Sequence, residues 1–561
     1  MSKESERNMA SLTRFAVVML VGVILLSCLY QTELGFFRAA GAADSFPVHN
    51  VNTGLNYSSV QAVVDASETL DGHTVLVDAG TYAEHLVVNK SLAIIGAGRD
   101  TTIIDGGGAG YVVHVVADDV LMKGFEITHG LFGIFVDQSD NCVLSDNSVT
   151  GIADNSATNV TNVLDIYAVY AYYSQNCTIK RNIIGPNSAS GVLVTNSEGF
   201  TISENHAFDN SGYGLNANAS MNGVISWNEA VGNSYDGIGL GEGSSDCTVF
   251  ANNVTGNGFY GIWLDSDSFD NLIYDNDIIK NGMQVSVNLA NRWDNGVEGN
   301  FWSNYSGADS DMNGIIDESF VISDVNIDNY PLAGEFRSFE TVYSYRVNVV
   351  SNSTIDGFSF FEPNGTIRFA TQESAASQDY GFFRVSIPHG LMIGPYNVTI
   401  DEKSPIYVNY TLYGDGDSRW IFFNFQNLTG EVSVQGVDRT VPTVAVILPQ
   451  SKTYDTSNVL LVFVVNDPPS WMAYSMDGQG NVTIDGNITI EGVSNGTHYV
   501  TVYSRDFAGN TGASDTVYFS VNIPGTPFVY WALLVVAIVA VVLLSAFILL
   551  RRSKNKTKSD H

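Results

Sequence analysis

Cysteine and positive charge are the scarce ingredients of this 561-residue chain. It holds four cysteines and no Cys-x-x-Cys pair, which excludes a disulfide framework. Cys28 lies in an apolar leader, and Cys142, Cys177 and Cys247 share one column of the repeat described below. Cys142 and Cys177 fall on neighbouring repeats, so a disulfide and a pair of buried thiols are both open, and the apolar column favours thiols. Lysine and arginine number 25 against 59 aspartates and glutamates, a net charge of −34. That balance excludes a nucleic-acid partner, and the acidic, Asn-, Ser-, Thr- and Gly-rich surface suits an extracellular or cation-rich setting. The histidines (His73, His85, His114, His129 and His206 among them) show no metal-ligand spacing. The central region has no helical periodicity.

What the chain does have is repetition. NCVLSDN, NCTIKRN, GFTISEN, NGVISWN, DCTVFAN, DNLIYDN and DNGVEGN end at Asn147, Asn182, Asn205, Asn228, Asn252, Asn276 and Asn300. Leu144, Ile179, Ile202, Ile225, Val249, Ile273 and Val297 stand three places earlier. Between these segments recur GIFVD, GVLVT, GLNAN, GIGLG and GIWLD. The glycines at 191, 214, 237 and 261 are 23, 23 and 24 apart. A fixed period of that size with short alternating segments predicts a β-solenoid. Ile134, Val169, Val192, Leu215, Ile238 and Ile262 would then point inward and stack at about 4.8 Å. The asparagines would form a ladder, with asparagine tolerating the left-handed conformation at a corner.

The flanks read differently. Residues 1–42 form a secretory signal with cleavage after Ala42, or an uncleaved N-terminal anchor, since the Gln31–Arg38 spacer is long. Phe528–Leu550 is a run of 23 uncharged residues, about 34 Å as a helix, followed by the basic tail 551–561. Positive residues inside would place residues 43–527 outside the cell and the tail in the cytoplasm. Ser58–Ser67 reads as a short helix capped by Ser58 or Ser59 and covering the open end of the solenoid. Ile152–Leu164 reads as a projecting loop. Alternating strands with turns predict a β-sandwich over 334–437 and a second one over 441–522. Glycosylation sequons at Asn56, Asn159, Asn253, Asn364, Asn427 and Asn487 fall in the outer part.

The stretch VDAGTYAEHLVVNKSLAIIGAGRDTTIIDGGG resembles the entry into right-handed parallel β-helix proteins of the pectin-lyase-like superfamily. The later coils resemble its NosD-type and carbohydrate-binding subgroup, over about 47–333. The closing segment 300–332 resembles that of archaeal and bacterial surface β-helices, and 443–521 resembles the Ig-like modules of prokaryotic surface proteins. The resemblance implies a right-handed parallel β-helix over 43–333; with the two sandwiches and the C-terminal transmembrane helix read from the residues, the chain is expected to be all-β. The resemblance also implies a polysaccharide-related role, or metal-site assembly as in NosD. The sequence lacks the Asn-Thr-Asp, Asp-Asp and Gly-His-Gly set of polygalacturonases. It also lacks the Arg-x-Pro-x-x-Arg of pectate lyases and the Asp-Pro-His-Asp of alginate epimerases. No catalytic residues can therefore be assigned.

Two constellations carry chemistry. Asp309, Asp311, Asn313 and Asp317, with the Ile315 carbonyl and Gly314 at the sixth place, have the spacing of a short Ca²⁺ loop. On the outward face of the GI strands, Phe135, Tyr170 and Trp263 run beside Asp137, Tyr172 and Asp265, a pairing of rings and polar groups suited to sugars. The expectation is a single-pass surface protein binding or adhering to polysaccharide or the surface layer. A polysaccharide lyase, hydrolase or epimerase, and a NosD-like accessory protein, are the alternatives.

Overall fold

The computed structural model describes residues 46–153, 163–341, 343–361, 365–372, 380–414, 417–425, 430–466, 469–506 and 508–523. The leader, the apolar span 528–550, the basic tail and most of the Ile152–Leu164 loop lie outside these residues. Among the described residues no helix is long and apolar enough to cross a membrane.

Residues 48–302 wind into a solenoid with three strands per coil, so that three sheets run its length. The first face contains Thr74–Val77 through Leu272–Tyr274, the second Gly80–Ala83 through Phe301–Trp302, and the third Leu86–Val88 through Met283–Ser286. Coil-to-coil pairing is parallel on all three faces. An antiparallel pair, Val48–Asn50 with Leu55–Tyr57, begins the first face. The predicted inward columns hold in register: Leu144, Ile179, Ile202, Ile225, Val249 and Ile273 pair successively on the first face. Ile134, Val169, Val192, Leu215, Ile238 and Ile262 do so on the third. All are buried in one continuous core. Cys142, Cys177 and Cys247 are free, buried thiols in that core.

The seventh repeat departs from the pattern. Arg292 pairs with Leu272, so Trp293 and not Val297 follows Ile273 in the column. Trp293 is fully buried, whereas Val297 is half-buried. The turn at Asn295-Gly296 displaces the DNGVEGN segment from the coil, because the larger indole already fills the place of the aliphatic side chain.

Each corner of the solenoid carries its own polar ladder. Between the first and second faces, the Asn205 amide Nδ2 donates to Asn228 Oδ1 at 3.0 Å, Asn228 to Asn252 at 2.9 Å, and Asn252 to Asn276 at 2.8 Å. The same oxygens accept the backbone N–H of the coil before, as Asn228 Oδ1 does from Asn205 N at 2.9 Å. These asparagines are not the left-handed residues of the corner. That conformation falls one place earlier, on Asp146, Arg181, Glu204, Trp227, Ala251 and Asp275, with φ between 53° and 58°. The preceding residue makes the bend, which leaves the asparagine free to turn its amide along the solenoid axis. A second ladder, Asn187, Asn210, Asn233, Asn257 and Asn281, lines the corner between the second and third faces. At the remaining corner the hydroxyls of Ser174, Ser197, Ser220 and Ser244 accept in turn the backbone N–H groups of Ser139, Ser174, Ser197 and Ser220.

Both ends are closed. The helix Val60–Asp65 is capped by the Ser59 hydroxyl, which accepts from Ala62 N, and it buries Val60, Val63 and Val64. The Glu84 carboxylate accepts from Val60 N and Gln61 N, at 2.9 and 2.8 Å, and anchors the same turn to the coil. At the far end Asp328 Oδ2 receives Asn300 N and Trp302 Nε1, both at 2.8 Å, and Asn326 Oδ1 receives Asn291 N at 2.9 Å. Burial pushes the Asp328 carboxyl up to about 7.

Residues 335–438 form a sandwich of a five-stranded and a four-stranded sheet around Val349, Phe369, Phe383, Ile421 and Val434. It belongs to the same compact unit as the solenoid and packs on the corner between the first and second faces. Arg346 binds Glu204 at 2.9 Å and covers the Trp227 ring at 4.1 Å. Arg337 pairs with buried Asp277. Arg384, itself buried, meets buried Glu298 at 3.2 Å and donates to the Asn313 carbonyl at 3.1 Å. An apolar seam of Ile315, Leu332, Phe336 and Val350 joins closing segment and sandwich. The described residues between 439 and 523 form a second compact unit. In it a three-stranded and a six-stranded sheet enclose Val459, Leu461, Val500, Val502 and Phe519.

The ladder is testable. Asn228→Ala leaves the Asn205 backbone and amide donors without their acceptor inside the core. At about 1–3 kcal/mol for each orphaned group, the expected loss is several kcal/mol, seen as a lower thermal midpoint by calorimetry. An unchanged midpoint would show that the ladder contributes nothing to stability.

Candidate functional site

The third face lies away from the corner that the sandwich covers. Alternation along its strands places every second side chain outward. Phe135, Tyr170, Leu193, Asn216, Gly239 and Trp263 pair in one outward row, as the spacing predicted. Because the strands are about 4.8 Å apart, rings at matching places must stack. Tyr111 lies 4.9 Å from Phe135 at 24°, and Phe135 lies 5.0 Å from Tyr170 at 21°. His114 stacks on Phe135 at 5.1 Å, and its Nε2 is 3.5 Å from the Asp137 carboxylate.

Stacking changes which rings a ligand can reach. Phe135 is enclosed by its neighbours, only 8% exposed, and serves as a spacer within the row. Tyr170, Tyr172 and Trp263 remain half-buried. Tyr111 and Tyr173, 36% and 49% exposed, join the platform. The spacing did not reveal them, because Tyr111 sits in an earlier coil outside the GI pattern and Tyr173 in a corner. Burial, helped by Tyr172, Tyr111, Asp137 and Glu242, pushes the Tyr170 hydroxyl up to about 12, so it stays protonated and can donate.

Trp263 stands apart from the tyrosines, across a stretch of small polar residues. A Cβ at Gly239 would come within 2.4 Å of Asn216 Oδ1, and one at Gly241 within 2.9 Å of the Trp263 ring. Glycine at these two places lets the amides and the indole lie flat over the sheet. The Oδ1 atoms of Asn216 and Asn218 are buried and receive no hydrogen bond. Asp265 is occupied locally: it accepts from Asp267 N at 2.8 Å and Glu242 N at 2.9 Å. Burial would raise its carboxyl, but these N–H bonds outweigh burial and hold it below its usual value. Asp236, at the edge of the face, is pushed up to about 6 by burial, partly offset by an N–H bond from Tyr260.

In the closing segment the expected cation loop is bonded to itself. Asp309 Oδ1 and Oδ2 accept from Asn313 N and Gly314 N at 2.9 and 2.8 Å. Asp311 accepts from the Asn313 amide at 2.8 Å, and Asp317 from Ser310 N at 3.0 Å. Ile315 N donates to Asn313 Oδ1 at 2.7 Å. The Asp309 carboxyl is raised, chiefly by burial, with Asp311 adding repulsion against the two N–H bonds. Among the described residues no three His, Cys, Asp or Glu side chains form a group that could hold a metal ion.

Residues 67–307 match the family model described as periplasmic copper-binding protein (NosD), in keeping with the resemblance carried by the repeats. A cell surface glycoprotein of Methanothermus fervidus is 30% identical over 111 residues, 20% of this chain and 18% of that one. Halomucin of Haloquadratum walsbyi is 30% identical over 156 residues, 24% of this chain and 2% of that one. This chain thus spans only a small part of the length of either relative. Among solved structures, the A-module of a mannuronan C-5 epimerase of Azotobacter vinelandii is 18% identical with a TM-score of 0.33, covering 45% of this chain and 79% of that one. An alginate lyase from Paenibacillus is 13% identical with a TM-score of 0.28, covering 42% and 94%. Likeness at that level concerns the path of the chain, and no activity follows from it. Among the described residues no group of three His, Cys, Asp or Glu side chains answers the copper in the family's description. The Cys177 thiol donates to the Ser139 carbonyl at 3.3 Å within the core, and Cys142 likewise bonds backbone carbonyls.

The Asp236 carboxyl gives a pH signature. Its value rises from 3.8 unfolded to about 6 folded, so folding favours the protonated form. That contribution is complete below about pH 4, declines as pH rises through 6, and is flat above. Asp236→Asn should match wild type near pH 4 and be more stable above pH 6, by about 3 kcal/mol. Thermal midpoints across pH 4–8 check this, and a variant less stable than wild type at pH 8 would contradict it.

Proposed function

We propose that this chain is a cell-surface protein whose solenoid binds glycan on its third face. The observation that carries the reading is the continuous platform of stacked rings beside amide and carboxylate groups, on the side that the first sandwich leaves uncovered. Aromatic faces take the apolar side of a sugar ring, and flanking polar groups take its hydroxyls. Similarity to a cell surface glycoprotein supports an outer location. In this reading residues 43–527 are extracellular, Phe528–Leu550 spans the membrane once, and residues 551–561 are cytoplasmic. Adhesion to polysaccharide or to the surface layer is the role such a platform serves.

The test combines location and binding. Protease applied to intact cells should release a fragment containing the solenoid, and that fragment should bind an array of glycans. Tyr170→Ala and Trp263→Ala should each weaken the binding about tenfold, the size of one aromatic contact. A protected, unreleased chain would refute the topology. Full binding by both variants would refute the site.

We also propose that the loop of Asp309, Asp311, Asn313, Ile315 and Asp317 takes Ca²⁺. Each carboxylate oxygen of Asp309 keeps a lone pair beyond its N–H bond, and a cation would relieve the repulsion from Asp311. At an extracellular-module affinity of about 10⁻⁴–10⁻³ M, millimolar calcium adds on the order of 1 kcal/mol. Calorimetry in calcium and in EDTA should differ for wild type and coincide for Asp311→Ala. Equal melting of wild type in both would leave an acidic turn.

A further inference from the structure

The nine strands of the third face contain no lysine or arginine. On them or at their ends stand Asp137, Asp165, Asp236, Glu242, Asp265 and Asp267. The bases of the solenoid lie mostly elsewhere: Lys123 and Lys180 on the first face, Arg99 and Arg292 beside it, and Arg181 in the corner beside the sandwich, bound to Asp146 at 2.7 Å, while Lys90, two places beyond Leu86–Val88, donates to the Ala66 carbonyl at 2.8 Å. Lys280 sits at the corner after Asp277–Ile279. The potential over the platform is therefore negative.

The hydrogen-bonding sense agrees with the charge. In the middle of the outward row, Asn216 is 2% exposed and its Oδ1 has no donor, and Asn218 Oδ1 has none either. These acceptors call for donors. A sugar hydroxyl supplies one, whereas a uronate carboxylate only accepts and brings a second negative charge. Building on the glycan-binding reading above, we propose that the third face selects glycans of uncharged, hydroxyl-rich sugars and rejects polyuronates. The strands of the face offer no lysine or arginine to a polyuronate carboxylate.

The probes are a mannuronan oligomer and the same oligomer after reduction of its carboxyl groups, which keeps ring and linkage and removes the charge. They are measured against the full chain by calorimetric titration, alongside an array of neutral glycans. The reduced oligomer or a neutral glycan should bind at least about tenfold tighter than mannuronan at low ionic strength, and added salt should narrow the gap. Asp137→Lys should narrow it too, while Trp263→Ala should weaken the neutral ligand. Mannuronan bound as tightly as its reduced form would overturn the selectivity and leave glycan binding standing. Neutral binding indifferent to Trp263→Ala would overturn the assignment to this face. No binding to any glycan, neutral or acidic, would overturn both readings.

Discussion

Everything in the first unit depends on one geometric constraint: coils stacked about 4.8 Å apart, every one using the same residue for the same task. A corner must reverse the chain while keeping its backbone polar groups bonded, and a buried unpaired N–H costs about as much as a lost core contact. The ladders meet that demand by coupling each coil to the next. Asn228 Oδ1 serves two donors of Asn205, and the Asn228 amide in turn reaches Asn252. Two corners use asparagine and the third serine. Stability of this kind is shared among neighbours and lost in blocks.

A ladder must end somewhere, and the ends explain the closing segment. Asn300 passes its role to Asp328, Asn291 to Asn326, and Asn281 to Gln284. The sandwich then seals the flank with three arginines. The Arg384–Glu298 pair is buried, which is costly unless further bonds support it. Here the Asn313 carbonyl and the Trp420 ring, 4.5 Å from the guanidinium, supply part of that support, while Arg384 Nε and Glu298 Oε1 have no hydrogen bond among the described residues. Beside it the Asp275 carboxyl is raised well above its usual range by burial and by Glu298, against the opposing pull of Arg384. Solenoid, closing segment and sandwich thus share one network, the physical reason that they form a single unit.

The same 4.8 Å repeat that builds the core builds the candidate site. Rings placed one coil apart cannot avoid one another, so Tyr111, Phe135 and Tyr170 form a platform whose middle member is lost to a ligand. Farther along, where asparagine and glycine replace the rings, the face becomes polar and Trp263 lies over bare backbone. Aromatic and amide zones thus follow one another along one sheet.

Besides an entry helix capped by Ser58 or Ser59, the sequence by itself determined the solenoid, its inward columns, the first asparagine ladder and the outward row of the third face. These all follow from a period, and a period is visible in one dimension. The second ladder was equally legible, since Asn187, Asn210, Asn233, Asn257 and Asn281 keep the 23- and 24-residue steps. Three matters only the tertiary structure decided. The left-handed residue precedes each ladder asparagine, because the corner divides bending and bonding between two neighbours. Trp293 displaces Val297 from the last coil, because an indole fills the core where the repeat loses its length. Arg337, Arg346 and Arg384 fold the sandwich onto the solenoid, because their carboxylate partners lie 60, 142 and 86 residues away in sequence, and no periodicity links groups brought together only by folding.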